Sequence, residues 1–114
     1  MSTYTEIANM IKSFGMDYAY YEFNSDEKPR LPYVVYHYGP SDNFSADDKV
    51  YQPIETLIIE LYTKKKDFAK EQTIEQTLCN NNMVYLKDET KIDSEKMYMV
   101  TYEMEVIINA NTEE

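Results

Sequence analysis

The run at residues 51–82, YQPIETLIIELYTKKKDFAKEQTIEQTLCNNN, limits the possible folds more than any other, because it joins the longest strand signal to the strongest helix signal. Leu57, Ile59 and Leu61 fall on one face of the segment Ile54–Thr63, and Ile58, Glu60 and Tyr62 on the other. That period of two is what a half-buried strand requires, and the segment is expected to be the central strand of a sheet. Lys64, Lys65 and Lys66 make a charged turn, after which Asp67 stands where an N-cap would. Its carboxylate can accept a backbone N–H and suits the positive end of a helix dipole. In the helix that follows, Glu71, Ile74 and Leu78 have the spacing of an inward stripe, while Phe68, Gln72, Glu75 and Cys79 lie along another side. Asn80, Asn81 and Asn82 tolerate left-handed backbone and are expected to stop it.

The rest of the chain supplies partners for this pair. In residues 3–14, Ile7, Met10, Ile11 and Phe14 form one helical stripe, Thr3 with Glu6 fits a capping box, and Gly15 follows as a terminator. Residues 17–23 (DYAYYEF) read as a strand and 24–30 (NSDEKPR) as an exposed turn. Tyr33–Tyr38 (YVVYHY) is rich in β-branched and aromatic residues and is broken by Gly39 and Pro40. Residues 39–52 carry Gly, Pro, Ser, Asn and Asp with few large apolar groups, and read as a long loop of the kind that is uncommon unless functional or mobile. Residues 83–89 are expected to be a short strand and 91–95 a charged turn. Residues 97–108 form a last strand, with Tyr98, Val100, Tyr102, Met104 and Val106 on one face and Met99, Thr101, Glu103 and Glu105 on the wetter one. Short connections favour antiparallel pairing, so the expected fold is α+β, an antiparallel sheet with two helices packed on one face as a two-layer sandwich.

A chain of 114 residues makes one domain, 1–114. The N-terminal MSTYTEIANM lacks the basic and apolar regions of a signal peptide, and no apolar run approaches the roughly 20 residues of a membrane span, so a soluble cytoplasmic product is expected. The formal charge of -10 disfavours anionic membranes and nucleic acid. Twelve Tyr and no Trp place amphipathic rings along the strands, where they can be half buried and half wet, as at subunit contacts.

Residues that carry chemistry are sparse. A single cysteine, Cys79, gives neither a disulfide nor a metal spacing and reads as a small helix residue. His37 sits in a strand between two tyrosines and is read as structural. Glu55 and Glu60, or Glu103 and Glu105, are strand positions that face solvent or an interface and are not read as acid/base pairs. Asp42, Asp47 and Asp48 lack the spacing of a calcium loop, and Asn43-Phe44-Ser45 as a glycosylation acceptor means nothing without export. No catalytic, cofactor or metal residue is nominated. The expected contact residues are Asp42, Phe44, Asp47, Asp48, Val50 and Tyr51 of the 39–52 loop and the cluster Lys64, Lys65 and Lys66, whose countercharge lets so acidic a chain meet an acidic patch of another copy.

The string IIELYTKKKDFAKEQTIEQTL, preceded by PYVVYHYG and followed by KMYMVTYEMEVI, resembles the small phage and prophage proteins of Gram-positive bacteria found among tail-assembly genes. The resemblance implies a tail terminator or tail-to-head joining (tail completion) protein of a long-tailed phage, an α+β sandwich that forms a homohexameric ring capping the tail tube. It implies no cofactor and no catalytic residue. Its partners would be other copies, the tail tube and head-connector proteins, with DNA only as cargo passing the lumen and no membrane. Assembly would occur in the host cytoplasm and the product would sit in the virion tail. An acidic lumen would let phosphates slide without sticking. The competing reading is a small acidic phage-encoded binding module that inhibits a host protein. An inhibitor would stay monomeric or dimeric, whereas a ring component would form hexamers.

Like charge removes the counterion-release contribution to non-specific affinity, so the purified protein should bind duplex DNA negligibly at physiological salt. A salt-sensitive complex at micromolar concentration in a fluorescence-anisotropy titration would contradict this.

Overall fold

The computed structural model describes residues 2–24, 26, 28–40, 44–46, 49–52 and 54–108. In chain order the elements are α1 (Tyr4–Lys12), β1 (Asp17–Tyr20), β2 (Tyr33–Tyr38), β3 (Phe44–Ala46), β4 (Lys49–Gln52), β5 (Ile54–Thr63), α2 (Phe68–Asn80), β6 (Leu86–Ile92), a 3-10 turn Asp93–Glu95 and β7 (Met97–Ile107). Strands β1-β2-β5-β7-β6 form a five-stranded sheet in that order, and β3 and β4 pair separately.

The alternation in β5 decides which face is buried. Leu57, Ile59 and Leu61 are fully buried, and their cross-strand partners on β2 (Tyr38, Tyr36, Val34) and β7 (Met104, Tyr102, Val100) continue the same face. Both helices lie on it. Ile7, Met10, Ile11 and Phe14 of the first helical stripe and Ile74 and Leu78 of the second join those strand residues in one core. The other face carries Ile58, Glu60 and Tyr62, half buried, and Glu103 and Glu105, exposed.

Local chemistry fixes the helix ends. Thr3 and Glu6 exchange the reciprocal hydrogen bonds of a capping box, at 2.9 and 3.1 Å. Asp67 caps α2 by accepting from the Lys70 N–H at 3.1 Å. At the other end Asn82 takes φ 58°, its N–H donates to the Cys79 carbonyl at 3.0 Å, and the Met83 N–H donates to the Leu78 carbonyl at 2.9 Å. Two such bonds around a left-handed residue satisfy carbonyls that the helix leaves orphaned.

The structure departs from the expected pattern in three places. The α+β class with both helices on one face holds, but the sheet is mixed: β1 pairs with β2 in parallel, Asp17 opposite Tyr33 through Tyr20 opposite Tyr36. The intervening residues 21–32 have the dozen or so residues that a return connection between parallel strands needs. The 39–52 segment is not wholly a loop, since β3 and β4 pair antiparallel with a register irregularity between Phe44 and Ser45. The strand after α2 begins later than residue 83 and runs through Lys91 and Ile92, pairing with β7 from Leu86 opposite Glu103 to Ile92 opposite Met97. A parallel bridge from Ser2 to Ile108 also ties the start of the chain to the end of β7.

Removing a fully buried β5 side chain leaves a cavity, so Leu57→Ala or Leu61→Ala should cost about 2–5 kcal/mol in urea unfolding. Ile107→Ala, at a side chain 43% exposed, should lie well below that range. Equal costs at all three positions would mean that this face of β5 is not the core.

Candidate functional site

The corner where β5 turns into α2 gathers most of the chain's unusual chemistry. Glu71, in the first turn of α2, is 2% exposed. A carboxylate in such a place needs compensating charge, because desolvation of an unpaired ion is costly. Lys66 Nζ stands 2.6 Å from Glu71 Oε2 and also bonds Glu89 of β6, while Lys87 Nζ stands 2.8 Å from Glu71 Oε1 and 2.6 Å from Glu75 Oε2. The Tyr102 hydroxyl donates to Glu75 Oε2 at 2.8 Å. This network links the β5–α2 turn, α2, edge strand β6 and, through Tyr102, the core strand β7.

The titration of these groups follows from the geometry. Burial alone would raise the Glu71 carboxyl, but its bonds to Lys66 and Lys87 outweigh that and hold it below the ordinary carboxylate value. Hydrogen bonds to Glu71 and Glu75 hold the Lys87 ammonium above its ordinary value. Burial, helped by the bond to Glu75, pushes the Tyr102 phenol well up.

Of the three lysines expected at the surface, Lys66 is therefore taken into the network, and only Lys64 and Lys65 are fully exposed. These two share a cleft of about 320 Å³ with Lys91, Asp93, Lys96 and Tyr98 from the β6–β7 turn. Lys64 also lines a neighbouring cleft of about 440 Å³ together with Lys28 and Arg30. Sequence reading missed Lys28, Arg30, Lys91 and Lys96, although Lys91 and Lys96 bracket the charged turn, and pairing of β6 with β7 is what carries them to the end of β5. Lys96 takes φ 52° there.

Of the other expected contact residues, those that the structure describes come before β5 in the chain. Phe44 stands in β3, and Val50 and Tyr51 stand in β4, with Ser45 opposite Val50 and Phe44 opposite Gln52. Asp42, Asp47 and Asp48 lie outside the described residues. In the chain, β3 and β4 come before β5 and the lysines after it.

Tyrosines form a further surface on β1 and β2. The Tyr20 ring meets Tyr36 edge-on at 5.2 Å, and Tyr4 meets Tyr38 edge-on at 5.3 Å. Burial pushes the Tyr36 and Tyr38 phenols up, with neighbouring tyrosines adding to it. Tyr20 and Tyr21 are more than half exposed on the sheet edge. His37 packs its ring 5.4 Å from Tyr21, and Cys79 is exposed on α2. Among the described residues no three His, Cys, Asp or Glu side chains converge as metal ligands, and no helix is long and apolar enough to cross a membrane.

No protein-family model matches the chain, and no curated protein matches it in sequence. Its fold does match solved structures. A chain of the virion of a native gene transfer agent particle superposes with a TM-score of 0.55 at 12% identity, over 89% of this chain and 84% of that one. At this identity the likeness is one of fold.

The Glu71 network makes stability depend on acid. A carboxylate lowered in the folded state contributes stability that is complete above its ordinary pKa of 4.5 and is lost as pH falls through the lower folded value. Glu71→Gln removes that contribution, so the variant should be less stable than the parent by about 1–3 kcal/mol at pH 7, with a smaller gap in acid, below the ordinary carboxylate value of 4.5. Urea unfolding at both pH values reads the difference, and a gap independent of pH would show that Glu71 is not ionised against Lys66 and Lys87.

Proposed function

We propose that this chain is a structural virion protein that assembles with its own copies into a ring, as a tail terminator or tail-to-head joining protein that caps a tail tube and lets DNA pass. The observation that carries the reading is the fold held in common, over most of both chains, with a component of a gene transfer agent virion. In the proposal the chain acts by assembly and not by catalysis. Its partners are further copies of itself, the tail tube and the head connector, and hexameric closure is the stoichiometry that the sequence resemblance implies.

Three physical features support a packing role. The exposed, tyrosine-rich edge at β1 offers amphipathic surface of the kind found at subunit contacts. The charge of -10 suits a conduit that must not hold DNA. β3 and β4 form their own two-stranded sheet, apart from the five-stranded one, and the edges of such a sheet can pair with another chain. We assign the subunit contacts to this hairpin, with Asp42, Phe44, Asp47, Asp48, Val50 and Tyr51, and to the lysine corner of Lys64 and Lys65.

Trimming residues 41–49 to a short turn should leave the melting temperature of the isolated subunit nearly unchanged, because loop closure changes only slightly with length. The same variant should fail to form rings in sedimentation and should give no completed tails by negative-stain microscopy. Normal rings and tails from the trimmed chain would remove the hairpin from the interface, and loss of the fold would show that it supports the subunit itself.

A further inference from the structure

We infer that the hollow walled by Tyr4, Tyr20, Tyr36 and Tyr38, with Glu55 beside them, is a binding site for an organic cation, an ammonium or guanidinium head group such as choline or a lysine or arginine side chain carries. The site belongs to the single subunit and does not depend on ring formation.

Strand register builds it. Tyr20 of β1 stands opposite Tyr36 of β2, and Tyr38 follows two residues later on the same face as Tyr36. β5 continues that face, with Ile59 opposite Tyr36 and Leu57 opposite Tyr38. Glu55 lies on it too, two residues before Leu57 and opposite the buried Val106 of β7. A carboxylate therefore interrupts the apolar run of Leu57, Ile59 and Leu61 where the core ends. Tyr4, at the start of α1, packs against the same core. These five residues line a hollow of about 360 Å³.

The angles between the rings suit a cation. Tyr20 stands at 81° to Tyr36 and 39° to Tyr38, with centroids 5.2 and 6.0 Å apart, and Tyr4 stands at 78° to Tyr38 at 5.3 Å. Rings at steep angles make walls and not a stack, and each ring face carries the negative part of its quadrupole. A cation is held within about 6 Å of such a face, and several faces together recognise quaternary ammonium groups. Burial, with the neighbouring tyrosines and Glu55 adding to it, pushes the Tyr38 phenol up, so this ring enters the site neutral. Glu55 supplies the net charge. It has interactions of its own, and a carboxylate has about four acceptor positions, which leaves room for a further donor. At the start of α1 the capping box of Thr3 and Glu6 occupies two N–H groups and sets a carboxylate against the positive end of the helix dipole.

Other rings of the same chain already take cations. A lysine ammonium lies 5.9 Å from the centroid of Tyr33, 4.9 Å from Phe68, 5.9 Å from Tyr102 and 6.0 Å from Tyr98. Among the described residues no lysine or arginine lines the tyrosine hollow. The hollow thus offers the chemistry that the other rings use, together with a carboxylate, to a cation from another molecule.

The test is a set of two-dimensional NMR titrations of the isotope-labelled full-length protein at constant ionic strength. The probes are choline beside its neutral isostere with carbon in place of nitrogen, and N-acetyl-arginine amide beside the neutral citrulline amide. Saturable shifts should centre on Tyr4, Tyr20, Tyr36, Tyr38 and Glu55, and a cation should bind at least about threefold more tightly than its neutral counterpart. Tyr20→Leu and Glu55→Gln should each weaken binding by at least about threefold, while Tyr20→Phe, which retains the ring face, should keep most of it. Tyr20 is 53% exposed, so its replacement leaves the core in place, and unchanged signals from Leu57, Ile59 and Leu61 check this. A preference for choline would assign a small quaternary ligand, and one for the arginine amide a side chain of a partner protein; both support the site. Three results would overturn it: neutral probes that bind as well as cations, shifts spread over the acidic residues at large as loose attraction to a charge of -10 would give, or a Tyr20→Leu protein that binds like the parent.

Discussion

Strand β5 is paired along its whole length with β7 and from Leu57 to Tyr62 with β2, and it sends Leu57, Ile59 and Leu61 into a core where none of them meets water. This one constraint orders the rest of the molecule. Because only one face of β5 is strongly apolar, both helices must pack there, and the first can do so only by presenting Ile7, Met10, Ile11 and Phe14 together. The opposite face keeps Glu60, Thr101, Glu103 and Glu105 at its middle positions, which a second layer of the same chain would have to desolvate. Only at its β2 end is that face closed, where Phe23 meets Tyr33 and both Tyr33 and Val35 are buried, so the helices form the one full layer on the sheet.

The same strand sets the distribution of charge. At its C-terminal end the chain must turn from sheet to helix, and the turn residues Lys64, Lys65 and Lys66 meet the β6–β7 turn brought alongside by strand pairing. Lys66 goes inward to Glu71, which would otherwise be a buried charge without compensation. The network through Glu71, Lys87 and Glu75 fastens edge strand β6 to the sheet and helix, although that strand contributes little to the core: Leu86 is 75% exposed and charged residues fill most of its middle. Charged edge strands resist indiscriminate pairing with other sheets, and the exposed tyrosine edge at β1 has no comparable guard.

Much of this was legible in the sequence, and for identifiable reasons. Ile54–Thr63 and Tyr33–Tyr38 end where expected because alternation is clean within them and Gly39 or the lysines punctuate them. Thr3, Glu6, Asp67 and the asparagine run act through bonds to nearby backbone, so their roles survive without knowledge of tertiary structure. The direction of β1 was not legible, since the composition of DYAY says nothing about whether its neighbour runs with it or against it. The β3–β4 pairing was hidden by polar residues, because a ladder is made by backbone groups that no side-chain pattern reports. β6 starts and ends three residues later than its pattern suggests for a related reason: LKDETKI is mostly charged, and an edge strand tolerates that where a central one would not. At the candidate site the lysine run was visible as a cluster, but which member turns inward depended on Glu71, Lys87 and Glu89, which stand well apart in sequence and meet only in the fold.

The chain has one layer of helices, a sheet face with acidic middle positions, a separately paired β3 and β4, and a lysine corner after the end of its central strand. The ring proposal assigns contacts between copies to such surfaces, and the fold is similar to that of a chain of a gene transfer agent virion. The most direct measurement is electron cryomicroscopy of tails purified from cells that express the native chain. The account predicts a closed ring at one end of the tail tube in which each repeat fits the five-stranded sheet with its two helices. Tails whose end density cannot accommodate that subunit, or from which the chain is absent, would contradict it.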